Sequence, residues 1–97
     1  MAIYISVVNF TDQGIRVIRN TVERAENFRK QAEGLGARVL DIYWTLGVYD
    51  LVILVEAPDD ETVAKLFFAV GSLGNIRAHT LRAFSAEDMA GIIRDIG

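Results

Sequence analysis

The chain contains no cysteine, which excludes disulfides, thiol catalysis and thiolate-bound zinc. Histidine is almost as scarce. His79 stands alone, with no second imidazole for a non-haem metal site and no nucleophile signature for a Ser-His-Asp triad. Neither G-x-G-x-x-G nor a phosphate-loop pattern occurs, so no nucleotide cofactor is expected. Positive charge is also short: 10 Lys and Arg face 13 Asp and Glu, a net charge of −3. Such a chain repels phosphate backbones, and nucleic acid is not an expected partner. The N-terminal "MAIYISVVNF" lacks a basic n-region and a small-residue cleavage site, and is too short to span a bilayer. A cytoplasmic protein without membrane attachment is the expectation. Proline appears once, at Pro58, and no linker or low-complexity stretch interrupts the 97 residues, which suffice for one domain, 1–97.

Apolar residues, by contrast, are plentiful. Counting glycine and leaving out tyrosine, they make up about 57% of the chain, against a usual 45–50%. A domain of this size buries only somewhat over 60% of its unfolded surface. The surplus therefore implies that another chain covers part of this one.

Periodicity divides the chain into seven elements. Residues 2–9 are rich in β-branched and aromatic types and read as a strand. Thr11 or Asp12 then caps a helix with apolar positions at Ile15, Ile18, Val22, Ala25, Phe28, Ala32 and Leu35. Asn20-Thr21 is a candidate break within it, and "EGLG" (33–36) ends it. A second strand spans 37–45, turns at Leu46-Gly47, and leads into a third at 48–57. Within the third, "LVILV" (51–55) is apolar on both sides, the mark of a central strand. Pro58 and the acids Asp59, Asp60 and Glu61 open a helix with Val63, Leu66, Phe67 and Val70 inward. A fourth strand follows at 75–84. "SAED" (85–88) is a capping-box variant that starts a short helix carrying Met89, Ile92, Ile93 and Ile96 on one face.

The order β-α-β-β-α-β-α predicts an α+β, ferredoxin-like βαββαβ antiparallel sheet plus a C-terminal helix, with strands arranged fourth, first, third, second. The edge strands carry the charges, Arg38 and Asp41 on one and Arg77, His79 and Arg82 on the other, as edges should. Two helices cover one sheet face. The central strands nevertheless offer hydrocarbon to both: Ile3, Ile5 and Val7 against Tyr4 and Val8, and Leu51, Ile53 and Val55 against Val52 and Leu54. The C-terminal helix is expected to cover part of the second face, and a second copy the rest, through a two-fold, sheet-on-sheet interface.

Four segments, "FTDQGIR" (10–16), "IYWTLGVYD" (42–50), "VEAPDDE" (55–61) and "GSLGN…LRAF" (71–84), resemble in order the GYD-domain family. The family takes its name from a Gly-x-Tyr-Asp element, here Gly47-Val48-Tyr49-Asp50. The resemblance covers essentially the whole chain and implies a dimeric α/β barrel, without implying an activity, since the family has no established one. Wider barrel relatives include cofactor-free monooxygenases, haem enzymes, isomerases and amino-acid-sensing domains, so chemistry does not follow from the fold.

The residues themselves support several readings. Asp50 either accepts hydrogen bonds that pin the hairpin, or stands as a general base in a cavity walled by Tyr43, Trp44 and Tyr49. Tyr4, Tyr43, Trp44, Tyr49 and Arg77 are candidate ligand contacts; His79 is a base, a haem ligand or an exposed edge residue. Arg82 is a candidate partner of Glu56. "GSLGN" is a helix end or, less directly, an anion-binding nest. The leading expectation is a homodimeric barrel, or a larger oligomer of the same chain, whose helix–sheet cleft binds a small apolar or aromatic molecule. Any chemistry there would be cofactor-free and metal-free, with Asp50 or His79 transferring the proton. The rival is a non-catalytic assembly or regulatory module. A haem protein is a third reading.

Overall fold

A computed structural model describes residues 1–97. Its elements are β1 (Ala2–Phe10), α1 (Asp12–Arg16), a 3-10 turn (Ile18–Asn20), α2 (Thr21–Gly34), β2 (Arg38–Trp44), β3 (Leu51–Ala57), α3 (Asp60–Gly71), β4 (Ile76–Ala83) and α4 (Ala86–Ile96). Helix starts follow the local chemistry. The Thr11 hydroxyl accepts from Gly14 N at 3.1 Å, and Asp59 accepts from Thr62 N at 2.8 Å. Ser85 and Asp88 form a reciprocal capping box at 3.0 and 3.1 Å. Hydrogen bonds from Thr62 hold the Asp59 carboxyl below the usual range, and those from Ser85 do the same for Asp88.

The sheet order is β2-β3-β1-β4 and every pairing is antiparallel, as the sequence predicts. Tyr4, Ser6 and Val8 on β1 lie opposite Val55, Ile53 and Leu51 on β3, and all six are buried. These residues meet Phe28 and Ala32 of α2 and Val63 and Leu66 of α3. The Phe28 and Phe67 rings, 5.4 Å apart, join the two helices. Burying each large aliphatic contributes about 1.5–3 kcal/mol, so this one layer dominates the stability. Ser6 is the buried polar exception. Its hydroxyl lies 3.0 Å from Thr80 Oγ1, which removes the cost of leaving it unpaired.

Several expectations need correction. The first helical stretch does break before Thr21, as Asn20-Thr21 allowed, but its apolar spacing does not form one inward stripe. Phe28 and Ala32 are buried, while Ile15, Ile18, Val22 and Leu35 remain exposed. The third strand begins at Leu51 rather than 48, because 46–49 form a loop. A register shift at Leu40 places both Val39 and Ile42 toward the helices, and Arg38, Asp41 and Tyr43 on the other face. Arg82 does not pair with Glu56. The register puts Arg82 opposite Tyr4 on the helix side, whereas Glu56 faces away and meets Arg38 at 3.5 Å.

The second sheet face is open. Ile3, Ile5, Val7, Val52 and Leu54 are half-buried, and Leu81 is 56% exposed. The C-terminal helix does not cover it. No residue of α4 is buried, and Met89, Ile92, Ile93 and Ile96 all stay accessible. The chain measures 51 × 31 × 18 Å with a radius of gyration of 14.6 Å. A compact domain of this length would have roughly 12.5 Å.

Candidate functional site

The loop between β2 and β3 is fastened at five points. Thr45 N donates to Asp50 O at 2.8 Å, and the Thr45 hydroxyl donates to Tyr49 O at 2.6 Å. Asn9 Nδ2 reaches Val48 O at 2.7 Å, and Asp50 N donates to Val8 O at 2.8 Å. Phe10 N donates to Asp50 Oδ2 at 2.8 Å. Gly47 completes the turn with φ of +102°, a conformation costly for any residue with a Cβ. Leu46 and Val48 at the tip are 101% and 80% exposed.

The structure does not gather the candidate residues into one chamber. Trp44 turns toward the helices, where its Nε1 donates to Thr21 Oγ1 at 2.9 Å. Tyr43 stands on the opposite, open face, with its hydroxyl 3.5 Å from Asp41. Tyr49 lies in the loop and is 39% exposed. His79 and Arg77 sit on β4 opposite Val7 and Asn9, on the open face, and no hydrogen bond links either to Asp50. Asp50 therefore acts as a staple between the hairpin and β1. Replacing it by alanine is expected to lower stability by about 1.5 kcal/mol, because Phe10 N loses a charge-assisted partner. Asparagine keeps an acceptor oxygen and should cost about half as much. Urea denaturation at fixed protein concentration measures both; an Asp50→Ala chain as stable as the parent would refute the staple.

"GSLGN" is engaged in packing. Gly74 O accepts from the Thr11 hydroxyl at 2.6 Å, Leu73 O from Gln13 Nε2 at 2.9 Å, and Asn75 O from Thr11 N at 3.1 Å. This segment anchors α1.

Two features have linings that the sequence did not specify. The first is a cavity of about 130 Å³ beneath α2, walled by Val8, Phe10, Phe28, Ile42, Leu51 and Ile53. Thr21, Arg24, Asn27, Gln31 and Asn75 supply its polar lining, and none of the expected ligand residues lines it. Its one sequence signal is spacing: Arg24 is four residues before Phe28 and shares that face of α2. The second feature is Tyr4. Burial pushes its phenol above the usual 10.0, reinforced by the hydrogen bond it donates to Asp60 and by that carboxylate's charge. The Arg82 guanidinium stacks near the Tyr4 ring at 5.7 Å and the Phe84 ring at 4.6 Å. Tyr4, Asp60 and Arg82 line a groove of about 550 Å³ between α3 and β4, whose wall Arg77 also joins. No three of the His, Asp and Glu side chains are placed to hold a metal. No helix is long and apolar enough to cross a membrane.

Comparison with known proteins places this geometry in context. The chain is 33% identical over 90 residues to a Thermus thermophilus protein named glutamine synthetase and cystathionine beta-lyase binding protein, covering 92% of this chain and 95% of that one. The solved structure of TTHA0845 from Thermus thermophilus is 25% identical with a TM-score of 0.57, covering 89% and 96%. MtbAldR superposes with a TM-score of 0.62 at 20% identity over 87% of this chain. The chain spans about half that protein, at 52%, and the likeness concerns the fold alone. The GYD-domain model matches residues 4–93, the span that holds the stapled hairpin and all of the four-stranded sheet except Ala2 and Ile3, and the chain belongs to the GYD-domain family.

Proposed function

We propose that the chain is a non-catalytic assembly module that works as a homodimer and binds other proteins. The observation that carries this reading is the uncovered hydrocarbon on the open sheet face. The chain exposes 6478 Å². A compact monomer of 10.8 kDa exposes roughly 5,500 Å². The difference, roughly 1,000 Å², is of the order of what each partner buries in a standard interface, about 800 Å². A second copy, facing its own open sheet across a two-fold, covers Ile3, Ile5, Val7, Val52, Leu54 and Leu81 with a like surface. The engagement of Asp50 and Thr45 in the hairpin, and of Trp44 with Thr21 of α2, supports the non-catalytic side of the proposal.

The relative's name supplies the partner class. Metabolic enzymes, glutamine synthetase first, are the proteins this dimer would bind, and the exposed tip of Leu46 and Val48 is the surface offered to them. Sedimentation velocity with purified glutamine synthetase tests it. At about 10 μM of each protein a complex of micromolar affinity is half formed or more, and the chain should move with the enzyme. Independent migration of the two would remove the protein-binding reading.

A second reading, a helix–sheet cleft that holds a small apolar molecule, is favoured by the cavity beneath α2. An apolar cavity of about 150 Å³ elsewhere is known to take up benzene, so one of this size suits a single ring.

A further inference from the structure

We infer that the cavity beneath α2 is a site for a small aromatic or short aliphatic monocarboxylate, with its hydrocarbon inside and its carboxylate on Arg24. The inference rests on the second reading above and adds the charge and the orientation of the ligand. Inside, the walls are hydrocarbon: Phe28 from α2, Ile42 from β2, and Val8, Leu51 and Ile53 from the sheet's middle. Such walls reward an apolar body and punish any polar atom placed against them.

The polar lining is different in kind. Of its five polar residues, Thr21, Asn27, Gln31 and Asn75 are neutral and Arg24 alone is charged. Arg24 is half-buried, and its guanidinium makes no ion pair; the ion pairs of the chain are Arg29 with Glu26 and Arg38 with Glu56. Its guanidinium donates to two backbone oxygens, Val17 O at 3.0 Å and Gly14 O at 3.5 Å. A guanidinium carries five donors, so N–H groups remain for an incoming anion. A partly desolvated cation beside an apolar chamber selects a ligand that is hydrocarbon at one end and anionic at the other. A planar carboxylate matches the guanidinium fork.

Three probes of nearly one shape separate charge from fit: benzoate, benzamide and benzamidine, which are anionic, neutral and cationic at neutral pH. Each is titrated into the full chain while the backbone and methyl NMR signals of Phe28, Ile42, Leu51 and Ile53 are followed. Ligands of about nine heavy atoms bind weakly, so the titration runs to about 10 mM. Benzoate is expected to shift those signals saturably and to bind at least tenfold tighter than benzamide, with benzamidine weakest. Arg24→Gln should bring benzoate down to the benzamide level and leave benzamide unchanged. Ala25→Leu, which adds hydrocarbon at a lining position, should abolish binding of all three.

Equal affinity for benzoate and benzamide in the parent chain would overturn the carboxylate inference and leave the cleft reading standing. Absence of saturable shifts at the cavity signals for all three probes would overturn both. The parent-chain comparison decides the matter even if the Arg24 variant folds poorly. None of these outcomes depends on the dimer, which sedimentation measures separately.

Discussion

Gly14→Ala is expected to destabilise the chain by about 3 kcal/mol, near the upper end of the usual overpacking range. The reason is a backbone collision. A Cβ at position 14 would lie 1.9 Å from Asn75 O and 2.8 Å from its carbonyl carbon. Neither atom belongs to a flexible side chain, so α1 must retreat from the loop after α3. That retreat also strains the bonds from Thr11 N to Asn75 O and from the Thr11 hydroxyl to Gly74 O. For a domain of this size each kcal/mol corresponds to roughly 4–8 °C, so the melting temperature should fall by about 12–24 °C. Gly34→Ala is the control. It sits in the last turn of α2 with nothing within 4 Å of the added methyl, and should be neutral or stabilising by about 0.5 kcal/mol. If Gly14→Ala melts within about 2 °C of the parent, the close approach is not a constraint on the fold.

Leu54→Lys is expected to turn a dimer into a monomer without unfolding it. Leu54 lies in the middle of the open face, opposite Ile5 on one side and Asp41 on the other. In a single chain a lysine there reaches water and sits beside the Asp41 carboxylate. In a two-fold dimer, two such cations would be buried in hydrocarbon against each other. Like charges juxtaposed in an interface cost several kcal/mol, so the dimer Kd should rise at least about 100-fold, or about 2.7 kcal/mol. The readout that separates dissociation from damage is concentration. The parent's melting temperature should climb with protein concentration, because folding and association are linked, while that of Leu54→Lys should not. Sedimentation equilibrium at about 10 μM should give twice the chain mass for the parent and the chain mass for the variant. A parent chain that is monomeric there, with a concentration-independent transition, would end the dimer proposal.

The two experiments probe different kinds of information. The open face can be read from the sequence, because Ile3, Ile5 and Val7 alternate with Tyr4, Ser6 and Val8, and two helices cannot cover both sides of a sheet. Gly14 cannot. Its neighbour is Asn75, 61 positions along the chain, and no local pattern marks a glycine that exists to let another backbone come near. The hairpin lies between these cases. The Gly47 turn and the pinning role of Asp50 were among the readings the residues allowed, and Phe10 N at 2.8 Å is the partner that realises it. Trp44 and Tyr43 parted to opposite faces through ordinary strand alternation, leaving Asp50 without the aromatic walls that adjacency in sequence suggested. A helix–sheet cleft was expected, but the lining of the cavity beneath α2 was not legible, for a related reason. Its walls come from four strands and two helices, and a void is a failure of packing that composition does not record.

Sequence alone determined the order of strands and main helices, the strand arrangement, the helix caps and the excess of hydrocarbon. Those follow from periodicity and from local hydrogen bonding within a few residues. Tertiary structure decided where α1 docks, which way each aromatic faces, that α4 stands clear of the sheet, and that Arg24 lines an apolar chamber. Each of those depends on register and on the distance between segments remote in the chain, quantities set only once the whole backbone has closed on itself.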